Sequence, residues 1–297
     1  DIKQVTLLTT PEFDFFIDFL FDRISLVFLL VGSMLTLLVS VFSKYYIHRE
    51  PGFKRYFNNV QLFFLGYSIV VVAGNFETLF LGWEMIGITS FLLISFYRNR
   101  YLPVKNAMKV VSLYRLGDVF LILAMWLSHH LWHENITFFK LNNLALVHNQ
   151  IAHHQLLALS VAMSILLTAV IKSAQFPFSS WLPRAMEGPT PSSAIFYGSL
   201  AVHIGAFLLQ RTAGFWEDML FFKVQLILVG RPLRSRWLSG AKSGCEHPLL
   251  HPLELLRSQR VMRQLPYFVC IAHVLERQRL SSAGHQEVTS SDMPHQL

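Results

Sequence analysis

The chain has 297 residues and a formal net charge of +7, and 53% of its residues are hydrophobic while only 14% are charged. Soluble domains carry about 25% charged residues on average, and this chain repeats apolar runs of membrane-spanning length. These properties exclude an ordinary soluble domain and argue against a soluble protein with buried helices. They predict an all-α, polytopic transmembrane helix bundle.

The charged residues divide the chain into two parts. Residues 1–230 contain 16 Lys and Arg against 13 Asp and Glu, and residues 231–297 contain 9 against 5. Both cysteines, Cys245 and Cys270, lie in the second part, so the first part has neither a disulfide nor a thiolate metal site. We predict a transmembrane domain over 1–230 and a basic, non-membrane tail over 231–297. Because the chain begins with Asp1 and shows no signal peptide, we expect the natural N-terminus to lie upstream.

Apolar segments recur along the first part at the length expected of membrane spans. Six of them cover Phe15–Phe42, Val60–Gly74, Phe76–Tyr97, Ala107–Ser128, Gln155–Ile171 and Pro191–Leu209. A shorter run over Met219–Gly230 is a candidate seventh span. We therefore expect six or seven transmembrane helices.

Lys and Arg are concentrated in two of the loops between these spans. The loops at 44–59 and 98–105 hold seven of them, whereas the loop at 129–154 holds only Lys140. If the spans alternate in direction, the two basic loops lie on one side of the membrane and the third loop lies on the other. Because basic loops remain on the cytoplasmic side, we place 44–59 and 98–105 in the cytoplasm or its equivalent, such as the matrix.

The segment between the fifth and sixth spans reads FPFSSWLPRAMEGPTPSSA and contains four prolines. Proline breaks the interior of a helix, and irregular backbone at membrane depth is tolerated only where it is buried in protein or lines a water-filled cavity. Interrupted helices of this kind mark ion and substrate sites in transporters. An extramembrane loop is the alternative, but Phe178, Trp181 and Leu182 are too apolar for a solvated connection. We therefore predict one discontinuous helix.

Apart from the charged residues near the ends of the spans, and Lys223 in the shorter candidate span, four charged residues fall within the predicted spans or at a broken end, namely Glu84, Arg115, Asp118 and Lys172. A charge at the bilayer centre costs about 2.5–3.5 kcal/mol on insertion scales, so such groups are functional-site hypotheses by default. Arg115 and Asp118 are three residues apart on one helix and can pair locally, which also suits a structural role. Glu84 and Lys172 lack such a neighbour, so each needs a partner across the bundle, and they can partner each other. Both are candidates for a proton relay.

Other polar groups have simpler explanations. Glu77 lies two turns before Glu84 on the same helix face, and we expect it at the membrane interface in water. His203 lies in the sixth span at a depth that suits either a relay or a satisfied core histidine. A solvated loop explains the remaining clustered histidines better than a metal site does; these are His129, His130, His133, His148, His153 and His154.

Several cofactor motifs are missing from the sequence. It contains no glycine-rich nucleotide loop, no haem-attachment motif and no cysteine cluster for an iron–sulfur centre. We therefore predict that the chain binds no redox cofactor and no metal. Its expected surroundings are the lipid bilayer and other membrane proteins, not nucleic acid.

Three motifs carry a resemblance to a known family. LFLGWEMIGITSFLLISFY at 79–97, YRLGD at 114–118 and KSAQFPFSSWLPRAMEGPTPSSA at 172–194 follow one another in the chain. Together they resemble the antiporter-like, proton-translocating membrane subunits of respiratory complex I, of the subunit 5 or subunit L type, over roughly residues 15–230. The family fold has two inverted five-helix repeats. The resemblance implies that this chain holds most of the first repeat and begins after the first two family helices.

The resemblance also implies roles for the intramembrane charges. Glu84 matches the helix glutamate of the family and Lys172 matches the lysine on its broken helix. These two form the charged pair of the N-terminal half-channel. Arg115 and Asp118 match the Arg-x-Gly-Asp element, which tunes the field around that pair.

The sequence departs from the family pattern at three positions. Tyr114 stands where the family usually has Asn, and Arg184 stands where it often has Asp or Ser. Tyr197 occupies the position of a channel histidine, with His203 six residues later, so we keep both as relay candidates. These departures favour a divergent bacterial member in the cytoplasmic (inner) membrane over one in the mitochondrial inner membrane.

The resemblance implies proton translocation by a non-redox subunit of an NADH:quinone oxidoreductase. NADH, FMN, iron–sulfur clusters and quinone would then bind in partner subunits of a complex I-like assembly. Three alternatives stay open: a subunit of a multi-subunit cation/proton antiporter, a subunit of an inorganic-carbon uptake system, and a non-functional truncated fragment.

The tail over 231–297 contains no apolar run of span length. The family continues with transmembrane helices at this point, so we expect a frameshifted or disordered segment without evolved function. A basic extension lying on anionic lipid is the alternative.

Overall fold

A computed structural model of the chain describes residues 2–9, 14–132, 136–141, 151, 153–175, 177–193 and 200–216, with side chains from residue 16 onward. All of these residues belong to one structural unit, residues 1–226. The candidate seventh span, the predicted boundary at residue 230 and the tail lie outside the described residues.

An antiparallel β-hairpin precedes the first helix. Strand β1 covers Ile2–Thr9 and strand β2 covers Asp14–Phe19, and Ile2 lies opposite Phe19. The predicted start of the first span at Phe15 was therefore wrong. The run DFFIDF is rich in aromatic and β-branched residues, a composition that suits a strand. The sequence reading did not anticipate this two-stranded sheet.

Helix α1 covers Arg23–Tyr46 and begins with a side-chain cap. Asp22 accepts a hydrogen bond from the Ser25 backbone N–H at 2.8 Å, which satisfies one of the unpaired donors of the first turn. After α1, Gly52 adopts a φ of +106°, a conformation that glycine tolerates best. Helix α2 then covers Phe53–Val72. It begins seven residues before the predicted Val60, so part of the predicted basic loop is helical.

Helices α3 and α4 form the centre of the bundle. Helix α3 covers Phe76–Ile94 and helix α4 covers Tyr101–Trp132. Helix α4 extends past both predicted ends. Pro103 falls in its first turn, where a missing backbone N–H breaks no helical hydrogen bond. A single turn, α5, covers Phe138–Leu141, and helix α6 covers Gln155–Lys172.

Four of the described helices, α1, α3, α4 and α6, are long and apolar enough to cross a membrane. The prediction of an all-α transmembrane bundle is confirmed for the helical part of the unit. The packing uses small residues as membrane bundles do. A Cβ added at Gly82 of α3 would lie 2.7 Å from the Gly66 carbonyl oxygen of α2, so these two helices approach closely only because both positions lack side chains.

The polypeptide becomes irregular directly after Lys172. Ala174 has a φ of +51°, and the Trp181 indole N–H donates to the Ile171 carbonyl at 2.9 Å. A short helix α7 at Trp181–Arg184, a 3-10 turn at Ala185–Glu187 and a short helix α8 at Thr190–Ser192 follow. Ala174 and Trp181 are buried, as a packed discontinuous helix requires.

Helix α9, Ala201–Arg211, forms most of the described part of the predicted sixth span and is followed by the single turn α10 at Ala213–Trp216. Helix α9 packs on α6. The Ser173 hydroxyl donates to the Val202 carbonyl at 3.0 Å, and Gly205 leaves room for Ala169 and Ser173. These contacts hold the end of α6, and therefore Lys172, against the bundle.

The β-hairpin lies at the end of the bundle opposite the basic loops. The Leu20 N–H donates to the Val72 carbonyl and the Gly74 N–H donates to the Asp18 carbonyl, each at 2.8 Å. The Phe138 N–H donates to the Gly74 carbonyl at 2.7 Å. The hairpin and α5 thereby close over the turn between α2 and α3.

Candidate functional site

The structure brings all four predicted intramembrane charges together where α3, α4 and α6 meet. Glu84 projects from α3 towards Arg115 on α4. The Arg115 Nη1 atom lies 2.6 Å from each carboxylate oxygen of Glu84. The same Nη1 lies 3.5 Å from Oδ2 of Asp118. Arg115 therefore bridges two carboxylates, and its shorter contacts are with another helix, not with its predicted neighbour Asp118.

Asp118 has a second partner on α3. The Trp83 indole N–H donates to Oδ1 of Asp118 at 2.9 Å. Because Trp83 directly precedes Glu84, one stretch of α3 supplies a hydrogen-bond donor to Asp118 and a carboxylate to Arg115. Asp118 is buried, with 7% of its side chain exposed.

Lys172 is the last residue of α6 and is 2% exposed. Its ammonium group lies 4.3 Å from the ring centroid of Tyr114 and 4.8 Å from that of Trp83. Its Nζ has no hydrogen-bond partner among the described residues. A direct pair between Glu84 and Lys172 does not form; Glu84 bonds Arg115, and Lys172 rests on two aromatic faces.

The charges acting on Lys172 are those of Asp118, Glu84 and Arg115. Two cations and two carboxylates make the cluster formally neutral. The side chain of Arg115 is 51% exposed and that of Glu84 is 21% exposed. The cluster therefore runs from a buried lysine to the outer face of this helix unit. Such an arrangement can pass protons between coupled sites.

The sequence reading missed Trp83 as a site residue and gave Tyr114 no role beyond its departure from the family pattern. The signal for both was their position. Trp83 is adjacent to Glu84, and Tyr114 lies one helical turn before Asp118, so both share the faces that carry the charges. An aromatic face beside a buried ammonium is also a favourable contact.

The two remaining relay candidates have different outcomes. His203 lies on α9, which packs on α6, and its side chain is partly buried. Tyr197 lies outside the described residues. Neither role is tested by the geometry, so both stay predictions.

The sequence predicted that Glu77 lies in water at the membrane interface, but the structure buries it. It sits in the first turn of α3 and is 8% exposed. Its Oε2 atom has no hydrogen-bond partner among the described residues. The nearby Asn75 side chain caps α3 and donates to the Phe16 carbonyl at 2.7 Å, so the hairpin covers this end of the helix.

A second ion pair, absent from the sequence reading, lies at the hairpin end of the bundle. Arg211 is 3% exposed at the end of α9. Its Nη1 lies 2.5 Å from Oδ2 of Asp22, and its Nη2 donates to the Ser25 hydroxyl at 2.8 Å. Burial raises the pKa of Asp22, but the hydrogen bonds from Ser25 and the charge of Arg211 outweigh it and hold that pKa below its usual value. This pair joins α9 to the start of α1.

The part of the chain that the structure describes contains no group of three or more His, Cys, Asp or Glu able to hold a metal ion. His129 and His130 lie at the end of α4, where His130 contacts the Trp126 ring at 4.4 Å. His133 and His148 lie outside the described residues.

Two family models match different parts of this chain, and both describe subunits of NADH:quinone or NADH-ubiquinone oxidoreductase. A family model described as NADH:quinone oxidoreductase/Mrp antiporter, TM, matches residues 73–230. A second model, for the N-terminus of chain 5 of NADH-ubiquinone oxidoreductase (complex I), matches residues 7–57. The first match includes all four charges of the cluster.

Individual relatives agree with these models. NADH-ubiquinone oxidoreductase chain 5 of Phoca vitulina is 36% identical over 215 residues, which cover 72% of this chain and 34% of that protein. NADH-quinone oxidoreductase subunit L of Buchnera aphidicola is 33% identical over 211 residues, which cover 71% of this chain and 34% of that protein. This chain thus spans about a third of the length of the curated relatives it matches.

A solved structure shares the fold. The Mrp complex of Dietzia sp. aligns with a TM-score of 0.69 at 25% identity, covering 80% of this chain and 25% of the matched chain.

Proposed function

This chain belongs to the antiporter-like family of membrane subunits of NADH:quinone oxidoreductases and Mrp antiporters, and we propose that it translocates protons across a membrane. In this proposal it acts as a non-redox subunit of a complex I-like NADH:quinone oxidoreductase. The observation that carries the proposal is the cluster of Glu84, Arg115, Asp118 and Lys172, because ionisable groups at membrane depth are energetically costly and therefore mark ion and proton pathways.

The contacts suggest how two proton movements are coupled. A proton taken up by Glu84 removes the negative charge that holds Arg115 Nη1 at 2.6 Å. Arg115 is then free to close its 3.5 Å separation from Asp118. Closer approach of Arg115 neutralises Asp118 and weakens the attraction that keeps the proton on Lys172. Proton uptake at Glu84 and proton release at Lys172 are therefore linked through Arg115 and Asp118.

The test is NADH-driven proton uptake in inverted membrane vesicles that carry the assembled complex, with Glu84→Gln and Lys172→Met. We expect each change to abolish uptake while the complex still assembles. Glu187→Gln is the matched control, because Glu187 is exposed outside the cluster and its nearest partner, Asn106, is 3.4 Å away. Normal uptake by both cluster variants would show that these charges serve only the structure.

A cation/proton antiporter subunit is the second candidate, and the observation that favours it is the structural match to an Mrp complex. An imposed sodium gradient distinguishes the two. If that gradient drives proton movement in the absence of NADH, and NADH alone does not, the antiporter function replaces the redox-driven one.

The proposed partners are other membrane subunits of the same assembly and the surrounding lipid. NADH, FMN, iron–sulfur clusters and quinone would bind in partner subunits, so that electrons never enter this chain. Relatives include a bacterial subunit L and animal chain 5 proteins. The proposed location is therefore an energy-converting membrane, either the bacterial cytoplasmic membrane or the mitochondrial inner membrane.

A further inference from the structure

We propose that Trp83 is a positioning residue that couples Asp118 to Lys172, holding the carboxylate with its indole N–H and the ammonium against its ring. This inference rests on the proposed function, because it concerns the same cluster. Trp83 carries no charge, and the sequence did not predict it as a site residue.

Trp83 contacts Asp118 through its indole N–H. Trp83 is 1% exposed, and its Nε1 lies 2.9 Å from Oδ1 of Asp118. The other carboxylate oxygen, Oδ2, faces Arg115 at 3.5 Å. A hydrogen bond to a charged acceptor is shorter and stronger than one to a neutral acceptor. Trp83 therefore fixes the orientation of Asp118 while leaving Oδ2 to Arg115.

Trp83 also contacts Lys172, through the face of its ring. The ammonium lies over the Trp83 ring at 4.8 Å and over the Tyr114 ring at 4.3 Å. Because Nζ has no hydrogen-bond partner among the described residues, these two faces are its nearest described support. Tyr114 is itself held by Trp181, whose ring centroid lies 5.0 Å from that of Tyr114.

The backbone next to Lys172 is tied to the same aromatic group. Trp181 donates its indole N–H to the carbonyl of Ile171, the residue before Lys172. This bond anchors the last turn of α6, while the rings of Trp83 and Tyr114 contact the Lys172 ammonium. Of the two rings beside Lys172, that of Trp83 also donates a hydrogen bond to Asp118. Trp83 is therefore the residue that links Asp118 to Lys172.

The experiment separates the N–H from the ring. Trp83→Phe keeps an aromatic face and removes the donor to Asp118. Trp126→Phe is the matched control, because it makes the same replacement on α4 at an exposed position outside the cluster. Proton uptake is measured per assembled complex between pH 5 and 9, so that reduced assembly does not alter the comparison.

We expect Trp83→Phe to move the acidic limb of the uptake profile to higher pH by roughly one to two pH units, the range that loss of a charged hydrogen bond produces. The reason is that the ionised form of Asp118 loses a donor. The other titratable groups around Asp118 are Glu84 on α3, Arg115 on α4 and Lys172 at the end of α6, and they are unchanged. Trp126→Phe should keep the wild-type limb.

A double-mutant cycle identifies the route of the effect. In an Asp118→Asn background, Trp83→Phe should cause no further shift, because its acceptor no longer ionises. A wild-type profile for Trp83→Phe, or the same shift in the Asp118→Asn background, would overturn the inference. Lys172→Met is measured in parallel: normal uptake by that variant rejects the proposed function itself, whereas loss of uptake with an unaltered Trp83→Phe rejects only the role of Trp83.

Discussion

Arg115 and Lys172 carry the same charge in opposite surroundings. Arg115 contacts two carboxylates and has half of its side chain exposed, whereas Lys172 is buried against two rings. A guanidinium suits carboxylates because its donors are fixed in a plane, while an ammonium is a compact point charge. Each cation therefore stands where its geometry fits: Arg115 makes the exposed contact with the two carboxylates, and Lys172 makes the buried contact with the rings.

The neutrality of the cluster leads to a prediction for Arg115. Arg115→Gln leaves Glu84, Asp118 and Lys172 with a net negative charge at membrane depth, which costs about 2.5–3.5 kcal/mol. We expect proton uptake to fall by roughly 100-fold, the factor that such an energy corresponds to. Arg115→Lys retains the charge and should keep a substantial part of the activity. Equal losses in both variants, measured in vesicles at matched assembly, would show that the shape of Arg115 matters more than its charge.

Two carboxylates at the hairpin end should affect stability with opposite signs. Burial raises the pKa of Asp18 above its ordinary value of 3.8, although a hydrogen bond from the Phe19 backbone opposes this. Its ionisation therefore costs stability as the pH rises through the folded pKa. Asp22 is the reverse case: the pKa is lowered, so its contribution is present above the ordinary pKa and is lost as the pH falls through the folded one.

We therefore expect Asp18→Asn to raise the unfolding temperature of the purified complex at pH 7 and Asp22→Asn to lower it. The shifts should be roughly 2–4 °C, as 1 kcal/mol produces in a chain of this size. The Asp18→Asn difference should shrink as the pH falls towards 4, because the wild-type carboxyl, whose pKa is raised, then binds a proton. The Asp22→Asn difference should persist to pH 4 and shrink only below it, because the pKa of that carboxyl is lowered. Shifts of the same sign for the two variants at pH 7 would contradict this assignment.

At the scale of elements, the bundle depends on the close contact between α2 and α3. The run of apolar residues predicts that both are membrane helices, but it does not say how near they come. Gly66 and Gly82 set that distance. The spacing of Arg115 and Asp118 predicted that they share a face of one helix, yet it could not choose the partner of Arg115, since that depends on the rotation of α3 against α4.

Gly82→Ala tests this contact. The added methyl would meet the Gly66 carbonyl at 2.7 Å and the Val70 backbone nitrogen at 2.8 Å, and backbone atoms cannot move aside as side-chain ends can. Overpacking of this kind costs about 1–3 kcal/mol, so we expect a lower unfolding temperature in detergent. Gly87→Ala on the same helix is the control for stability, because its methyl would meet only the Lys172 Nζ, at 3.9 Å. Helix propensity favours Ala over Gly at both positions, so a drop of similar size in both variants would mean that α3 tolerates no added methyl group anywhere, and that the α2–α3 contact does not decide the result.

At the scale of the whole chain, the length of apolar runs and the rarity of charge at membrane depth were enough to predict the fold class and the four residues of the cluster. The β-hairpin was not predictable in the same way, because DFFIDF continues directly into the apolar α1 and reads as its first turns. The role of Trp83 was not predictable for another reason. Aromatic residues are common in membrane spans, and the sequence does not show that the buried Lys172 lies beside this one. Tertiary contacts supplied what local pattern could not.

The direction of the bundle in the membrane gives the last prediction. The basic connection between α1 and α2 should face the cytoplasm or its equivalent, and the start of α6 should face the opposite side. His48 and His153 are exposed at these two places, and replacing a histidine leaves the count of Lys and Arg unchanged. In a background of Cys245→Ser and Cys270→Ser, we expect a membrane-impermeant maleimide to label His48→Cys only in inverted vesicles and His153→Cys only in right-side-out vesicles. Reversed labelling would show that the bundle has the opposite orientation in the membrane. Glu84, Arg115 and Lys172 would then have to conduct protons in the opposite direction.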